Sequence, residues 1–139
     1  MDIQSAQRQI IEAFANADDL LEKHTLLIHM ASLLPSTSDS LRTERYRIRK
    51  CQSSLWFHGY FIKGSFHMEV DSDTLIVKGL LALLLQIYEN RTAKEILETD
   101  LFFFSKMGLD GYMSESRTNG LIEISKRIHA LAQSELNRI

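Results

Sequence analysis

Cys51 is the only cysteine in the 139-residue chain, and it stands directly behind a run of cations. Arg42, Arg45, Arg47, Arg49 and Lys50 face a single acid in that stretch, Glu44. Nearby positive charge favours thiolate over thiol, and the thiolate is the nucleophile. The polar sequence before Cys51 gives way to an aromatic one after it, so the thiol is expected in a connection where solvent and partners have access. The opposite reading is as simple: free cysteine is among the most often buried residue types and packs as a small hydrophobe. On the residues alone the two stand level.

Other candidate groups point less clearly to chemistry. His24 and His29 are five apart, which is not the i, i+4 spacing of a helical metal pair, and no Cys-x-x-Cys half-site exists, so no zinc centre is expected. His58 and His67 belong to the two arms of a hairpin, and His24 fits a hydrogen-bonded core position. No local signature supports a Cys-His hydrolase. Asp71 and Asp73 look like an acid pair, but two acids at a helix start are expected to cap it. Gly59, Gly64 and Gly79 form no phosphate loop, and no Gly-x-Ser-x-Gly elbow occurs. Arg117, in "MSESRTNGL" (113–121), is different. A cation at a helix N-terminus opposes the dipole, so an arginine kept there hints at a partner or a site.

These residues must be held by a single domain spanning 1–139, a length that can bury a core without staples. Hydrophobic residues make up 45% and charged residues 24%, and the net charge is −2, so nothing global points to nucleic acid or an anionic membrane. One cysteine cannot form an internal disulfide and fits a reducing compartment. The start "MDIQSAQRQI" lacks a signal-peptide pattern, so a cytoplasmic location is expected. The most apolar stretch, "LIVKGLLALLLQI" (75–87), is interrupted by Lys78 and Gln86 and is shorter than the roughly 20 residues a span needs. It reads as a central core helix, not a membrane segment.

Ile3, Gln7, Ile10, Ile11 and Phe14 fall at helical spacing and predict an opening amphipathic helix. Asp19 and Glu22 are spaced like a capping box and predict a second helix from about Asp19 to Leu33, ended by Pro35 and burying Leu20, Leu27, Ala31 and Leu34 or their neighbours. "PSTSDSLRTE" (35–44) reads as a surface connection. "SLWFHGYFI" and "SFHMEV" are strands joined at Lys63-Gly64 as a hairpin, with a short preceding strand around Tyr46 to Arg49. Asp73 is expected to cap the apolar helix. "TAKEILETD" and "LFFFSKMG" read as short helices or turns. A last helix from about Ser116 to Asn137 carries Leu121, Ile124, Ile128, Leu131 and Leu136 on one stripe. The fold class is α+β: a small, mostly antiparallel sheet of about three strands packed against N- and C-terminal helices.

Three segments in this order, "KCQSSLW" (50–56), "DSDTLIVKGLLALLL" (71–85) and "MSESRTNGL" (113–121), resemble the SufE/CsdE family, the sulfur-accepting partners of cysteine desulfurases in iron-sulfur cluster assembly. They are similar to the family's G-C-Q-S-x-V-W, D-S-D-A-x-I-V-K-G-L and L-S-P-S-R-x-N-G-L, and "EKHTLLIHMASLLP" (22–35) to its E-K-Y-x-x-L-I-E-L-G-x-x-L-P helix. Cys51, Gln52, Ser53, Asp71, Asp73, Lys78, Gly79, Arg117, Asn119 and Gly120 fit the pattern. Lys50 replaces a glycine, Tyr46 stands where asparagine is common, Glu115 replaces proline and Met30-Ala31 replaces Leu-Gly.

The resemblance implies a fold like that of the iron-sulfur scaffold proteins and a role for Cys51 as the residue that accepts persulfide sulfur. It implies a SufS/CsdA-type desulfurase as partner and a SufBCD-type scaffold complex as recipient. No cofactor belongs to the chain itself, since pyridoxal phosphate is carried by the desulfurase. Arg49, Lys50, Gln52, Ser53, Asp73, Lys78, Arg117 and Asn119 become orienting or partner-facing groups. A homodimer is left open, as are two alternatives: a module that activates the desulfurase without thiol chemistry, and a scaffold-like protein. The scaffold reading is disfavoured because cluster ligation takes several thiolates.

Overall fold

The computed structural model describes residues 1–49, 54–109 and 115–138. Cys51, with Lys50, Gln52 and Ser53, lies outside the described residues. The elements, in order, are α1 (Ile3–Ala15), α2 (Leu20–Ser32), β1 (Leu55–Ile62), β2 (Ser65–Ser72), α3 (Leu75–Tyr88), α4 (Ala93–Leu97) and α5 (Glu115–Asn137), with 3-10 turns at Asp39–Leu41 and Phe103–Lys106. The class is α+β, as expected, with one difference: the sheet among the described residues has two strands.

The missing third strand has a local cause. Tyr46 and Arg47 donate their N–H groups back to the carbonyls of Thr43 and Glu44, so the chain is still turning where extension was expected. Tyr46 to Ile48 meet β1 through two backbone bonds that make an isolated bridge of Arg47 to Trp56, not a strand.

The hairpin turns at Lys63 and Gly64, whose φ values are +49° and +82°. Two positive φ values in a two-residue loop match the twist of the strands, and glycine supplies one without steric cost. From that turn the antiparallel register runs from Ile62 opposite Ser65 to Leu55 opposite Ser72. Alternation then sorts the faces. Leu55, Phe57, Phe66, Met68 and Val70 are buried, while Trp56, His58 and Tyr60 take the other side. There Tyr46, His58, Tyr60 and His67 make successive ring contacts at 4.6, 5.1 and 5.8 Å.

α3 is the centre of the core. Ile76, Val77, Leu80, Leu81, Leu83, Leu84, Ile87 and Tyr88 are all buried, which follows from a helix apolar on most sides. Gly79 lets α2 approach it: a Cβ at that position would lie 2.4 Å from the Leu27 carbonyl oxygen. Among the described residues no helix is long and apolar enough to cross a membrane.

α2 begins one residue inside the predicted range, and Asp19 caps it by accepting the Glu22 N–H at 2.8 Å. Glu22 reaches Asp18 N–H, not the cap residue's own. Leu27 and Ala31 are buried as expected, but Leu20, the first residue of the helix, is exposed. On α5, Leu121, Ile124 and Ile128 are buried and Leu131 packs against the core, whereas Leu136 lies near the helix end and is exposed. Gln7 sits on the buried stripe of α1 for a polar reason. Its Nε2 donates to the Asp100 carbonyl at 2.9 Å, and its Oε1 accepts from Phe102 and Phe103 N–H at 2.6 and 3.1 Å.

Candidate functional site

The connection that carries Cys51 leaves from one bonded pair of residues and returns to it. Ile48 N–H donates to the Leu55 carbonyl at 2.8 Å, and Phe57 N–H donates to the Tyr46 carbonyl at 2.9 Å. The sequence between Ile48 and Leu55 is therefore closed at its base.

The returning end is held again from the β2–α3 corner. Ser54 N–H donates to Asp73 Oδ1 at 3.1 Å. The Ser54 carbonyl accepts from Ser72 Oγ at 2.7 Å and from Asp73 N–H at 3.3 Å. Both backbone groups of Ser54 are thus satisfied by two residues from the far end of the hairpin, each bond contributing on the order of 1 kcal/mol net. This corrects the capping assignment for Asp73. The cap position of α3 is Thr74, which makes no side-chain cap bond, and the Asp73 carboxylate is turned to Ser54 and to Thr74 Oγ1, 3.1 Å away.

Asp71 is not a cap either. It is 7% exposed. Its Oδ2 accepts from Arg42 through Nε at 2.9 Å and through Nη2, its Oδ1 accepts Ser72 N–H at 2.8 Å, and Lys78 Nζ is 3.6 Å from Oδ1. A buried carboxylate needs this much compensation. Arg42 also lies over the Trp56 ring at 5.1 Å, a cation–π contact. Arg42, Asp71 and Lys78 line a cleft of about 350 Å3 together with Ser36, Thr37 and Asp39.

The basic run is less free than its composition suggests. Arg42 is engaged with Asp71, and Glu44 accepts from both Arg47, at 3.5 Å, and Arg49, at 2.6 Å. Among the described residues Arg45 has no acidic partner and lies over the Tyr46 ring at 5.2 Å.

Of the expected site residues, the structure gathers Asp73 at the base of the Cys51 connection and Lys78 on Asp71 one turn into α3. Arg49, exposed, leads into the connection. Arg117 and Asn119 are on another element, in the first turns of α5, the former half-buried and the latter exposed. Ser54, Ser72, Arg42 and Trp56 were not singled out for these roles. Counting back from the Lys63-Gly64 turn would have found one partnership, because Leu55 opposite Ser72 puts Ser54 next to Asp73.

Comparison with known proteins gives the family of the chain. The family model for the Fe-S metabolism associated domain, SufE, matches residues 8–132. A SufE-like protein of Rhizobium etli is 35% identical over 130 residues, covering 90% of this chain and 88% of its own. The sulfur acceptor protein CsdE of Escherichia coli is 35% identical over 120 residues, covering 84% and 81%. The solution structure of a hypothetical protein from Thermus thermophilus shares the fold, with a TM-score of 0.76 at 22% identity over 95% of this chain and 96% of that one. A family match across most of the chain and two relatives of comparable length leave one assignment: this chain belongs to the SufE family.

Proposed function

We propose that the chain is a sulfur acceptor whose reacting group is Cys51. The donor is a cysteine desulfurase of the SufS/CsdA type, holding sulfur as a persulfide on its own cysteine. The Cys51 thiolate attacks the outer sulfur of that persulfide. The bond between the two donor sulfurs breaks, the donor cysteine leaves as a thiolate, and Cys51 becomes a persulfide. The transferred sulfur keeps its oxidation level, so the step needs neither oxidant nor reductant. Removing sulfur from the donor stimulates its turnover, and Cys51 then passes the sulfur to a SufBCD-type scaffold complex. With one cysteine in the chain, the persulfide cannot collapse into an internal disulfide.

The observation that carries this reading is the double anchorage of the Cys51 connection, by Ile48 to Leu55 and by Ser54 to Asp73 and Ser72. A thiol that must meet another protein's persulfide benefits from fixed feet, since placement is most of what such an exchange needs. Leu75, two residues past Asp73, is 57% exposed and supplies apolar area for a partner beside that corner. In this reading Arg49, Lys50, Gln52, Ser53, Asp73, Lys78, Arg117 and Asn119 orient the connection or meet the donor.

Intact mass after incubation with a desulfurase and free cysteine tests it. One added sulfur is expected, removable by reductant and absent in Cys51→Ser. An unmodified chain, with the desulfurase turning over, would refute it. Stimulation fully retained by Cys51→Ser would assign the chain to non-covalent activation instead.

A further inference from the structure

Where α5 packs against β1, beside Tyr46, it leaves a pocket of about 330 Å3. Its rim holds Arg45, His58, Arg127 and Ser134, and its floor includes Phe57 and Leu131. Gly59 shapes it: a Cβ there would lie 2.7 Å from the Phe57 ring and 2.8 Å from Leu131 Cδ1, so a larger residue would have to displace both side chains.

The electrostatics are unusual for a chain with net charge −2. Arg45 is exposed and has no acidic partner among the described residues. Arg127 is shared with Glu123, which its Nε meets at 3.5 Å one turn earlier on the same helix. Arg45 and Arg127 thus both line a pocket whose walls include the apolar Phe57 and Leu131. The pocket also adjoins the reacting segment. Tyr46 and Phe57 share a backbone bond one step along from the Ile48–Leu55 pair, about 7 Å from the base of the Cys51 connection at strand spacing.

We infer that this pocket is a secondary anchor for the sulfur donor and takes a carboxylate-bearing side chain of the desulfurase between Arg45 and Arg127. The inference rests on the proposed sulfur-acceptor role for the identity of the partner. Charge complementarity selects an acid, and the apolar floor accepts the methylene stem behind it. A free anion would gain little at such an exposed, screened site. A protein partner excludes water from the rim and strengthens the same pairing.

The test measures binding of the full chain to the desulfurase by calorimetry. Arg45→Glu and Arg127→Glu are each expected to raise Kd about tenfold, the size of a 1.4 kcal/mol loss, and to flatten its salt dependence. Arg45→Lys should lose less than about threefold, the charge being kept. Arg8→Glu, on exposed α1, controls for overall charge. Alkylation of Cys51 in the free chain should be unchanged in Arg127→Glu, Arg45→Lys and Arg8→Glu. If the reversals behave like Arg8→Glu, or if they abolish binding of free glutamate while leaving the partner Kd unmoved, the inference is overturned. If Cys51 never gains sulfur but the reversals still weaken binding, the acceptor role fails and the anchor stands.

Discussion

Asp73 reaches back nineteen positions to hold the backbone N–H of Ser54 at 3.1 Å, so the first corner of α3 and the returning end of the Cys51 connection are one unit. Asp73→Ala removes an acceptor contributing about 1 kcal/mol. If that bond restrains access to the thiol, Cys51 alkylation by iodoacetamide should accelerate roughly fivefold. Asp73→Asn keeps an acceptor oxygen and should stay near the parent rate. Equal rates in all three proteins would separate the anchorage from thiol access.

The Asp71 cluster makes a prediction about stability. Asp71→Ala leaves Arg42 and Lys78 facing each other without their carboxylate. Removing one partner of a fully buried pair costs about 3–5 kcal/mol. Here the Arg42 side chain is 45% exposed, so solvent screens part of the loss, and about 2 kcal/mol is expected in urea unfolding. Arg42→Met combined with Asp71→Ala should cost less than the two single losses added together.

Gln7 ties α1 to the segment before the second 3-10 turn through three backbone groups. Gln7→Ala strands the Asp100 carbonyl and the N–H groups of Phe102 and Phe103. A loss of about 2–3 kcal/mol in chemical denaturation is expected. Gln7→Glu should not rescue it, because a carboxylate cannot donate to the Asp100 carbonyl.

Much of this architecture was legible from local pattern. The period of Ile3, Gln7, Ile10 and Phe14, the cap at Asp19 and the turn at Lys63-Gly64 are decided within a few residues, and each is found where expected. Asp71 and Asp73 were misread because, seen locally, two acids before an apolar helix are a cap. Their partners, Arg42 and Ser54, lie 29 and 19 positions upstream, beyond any window of helix chemistry. The basic run misled for a similar reason, since composition counts charges while the fold pairs Glu44 with two of the arginines. The Cys51, Gln52 and Ser53 motif was recognisable, but those residues lie outside the described structure.

Tyr88 gives a pH dependence. Its burial raises the hydroxyl pKa above the ordinary 10.0, and the Asp100 charge adds to this. The fold therefore holds the neutral phenol more tightly than the unfolded chain does. That contribution is complete below pH 10 and is lost as pH rises through the folded-state value. Melting temperature should fall as pH rises above about 10, and Tyr88→Phe should show a shallower decline.

The two-residue turn at Lys63-Gly64 acts as a ruler for the reactive end of the molecule. Eight residue pairs run from it to Leu55 and Ser72, a distance of about 27 Å, and Asp73 meets Ser54 only if that count is kept. One residue added at the turn would shift the register and exchange the two faces of a strand. A change at the exposed tip, far from any sulfur, would then unfasten the thiol's mooring.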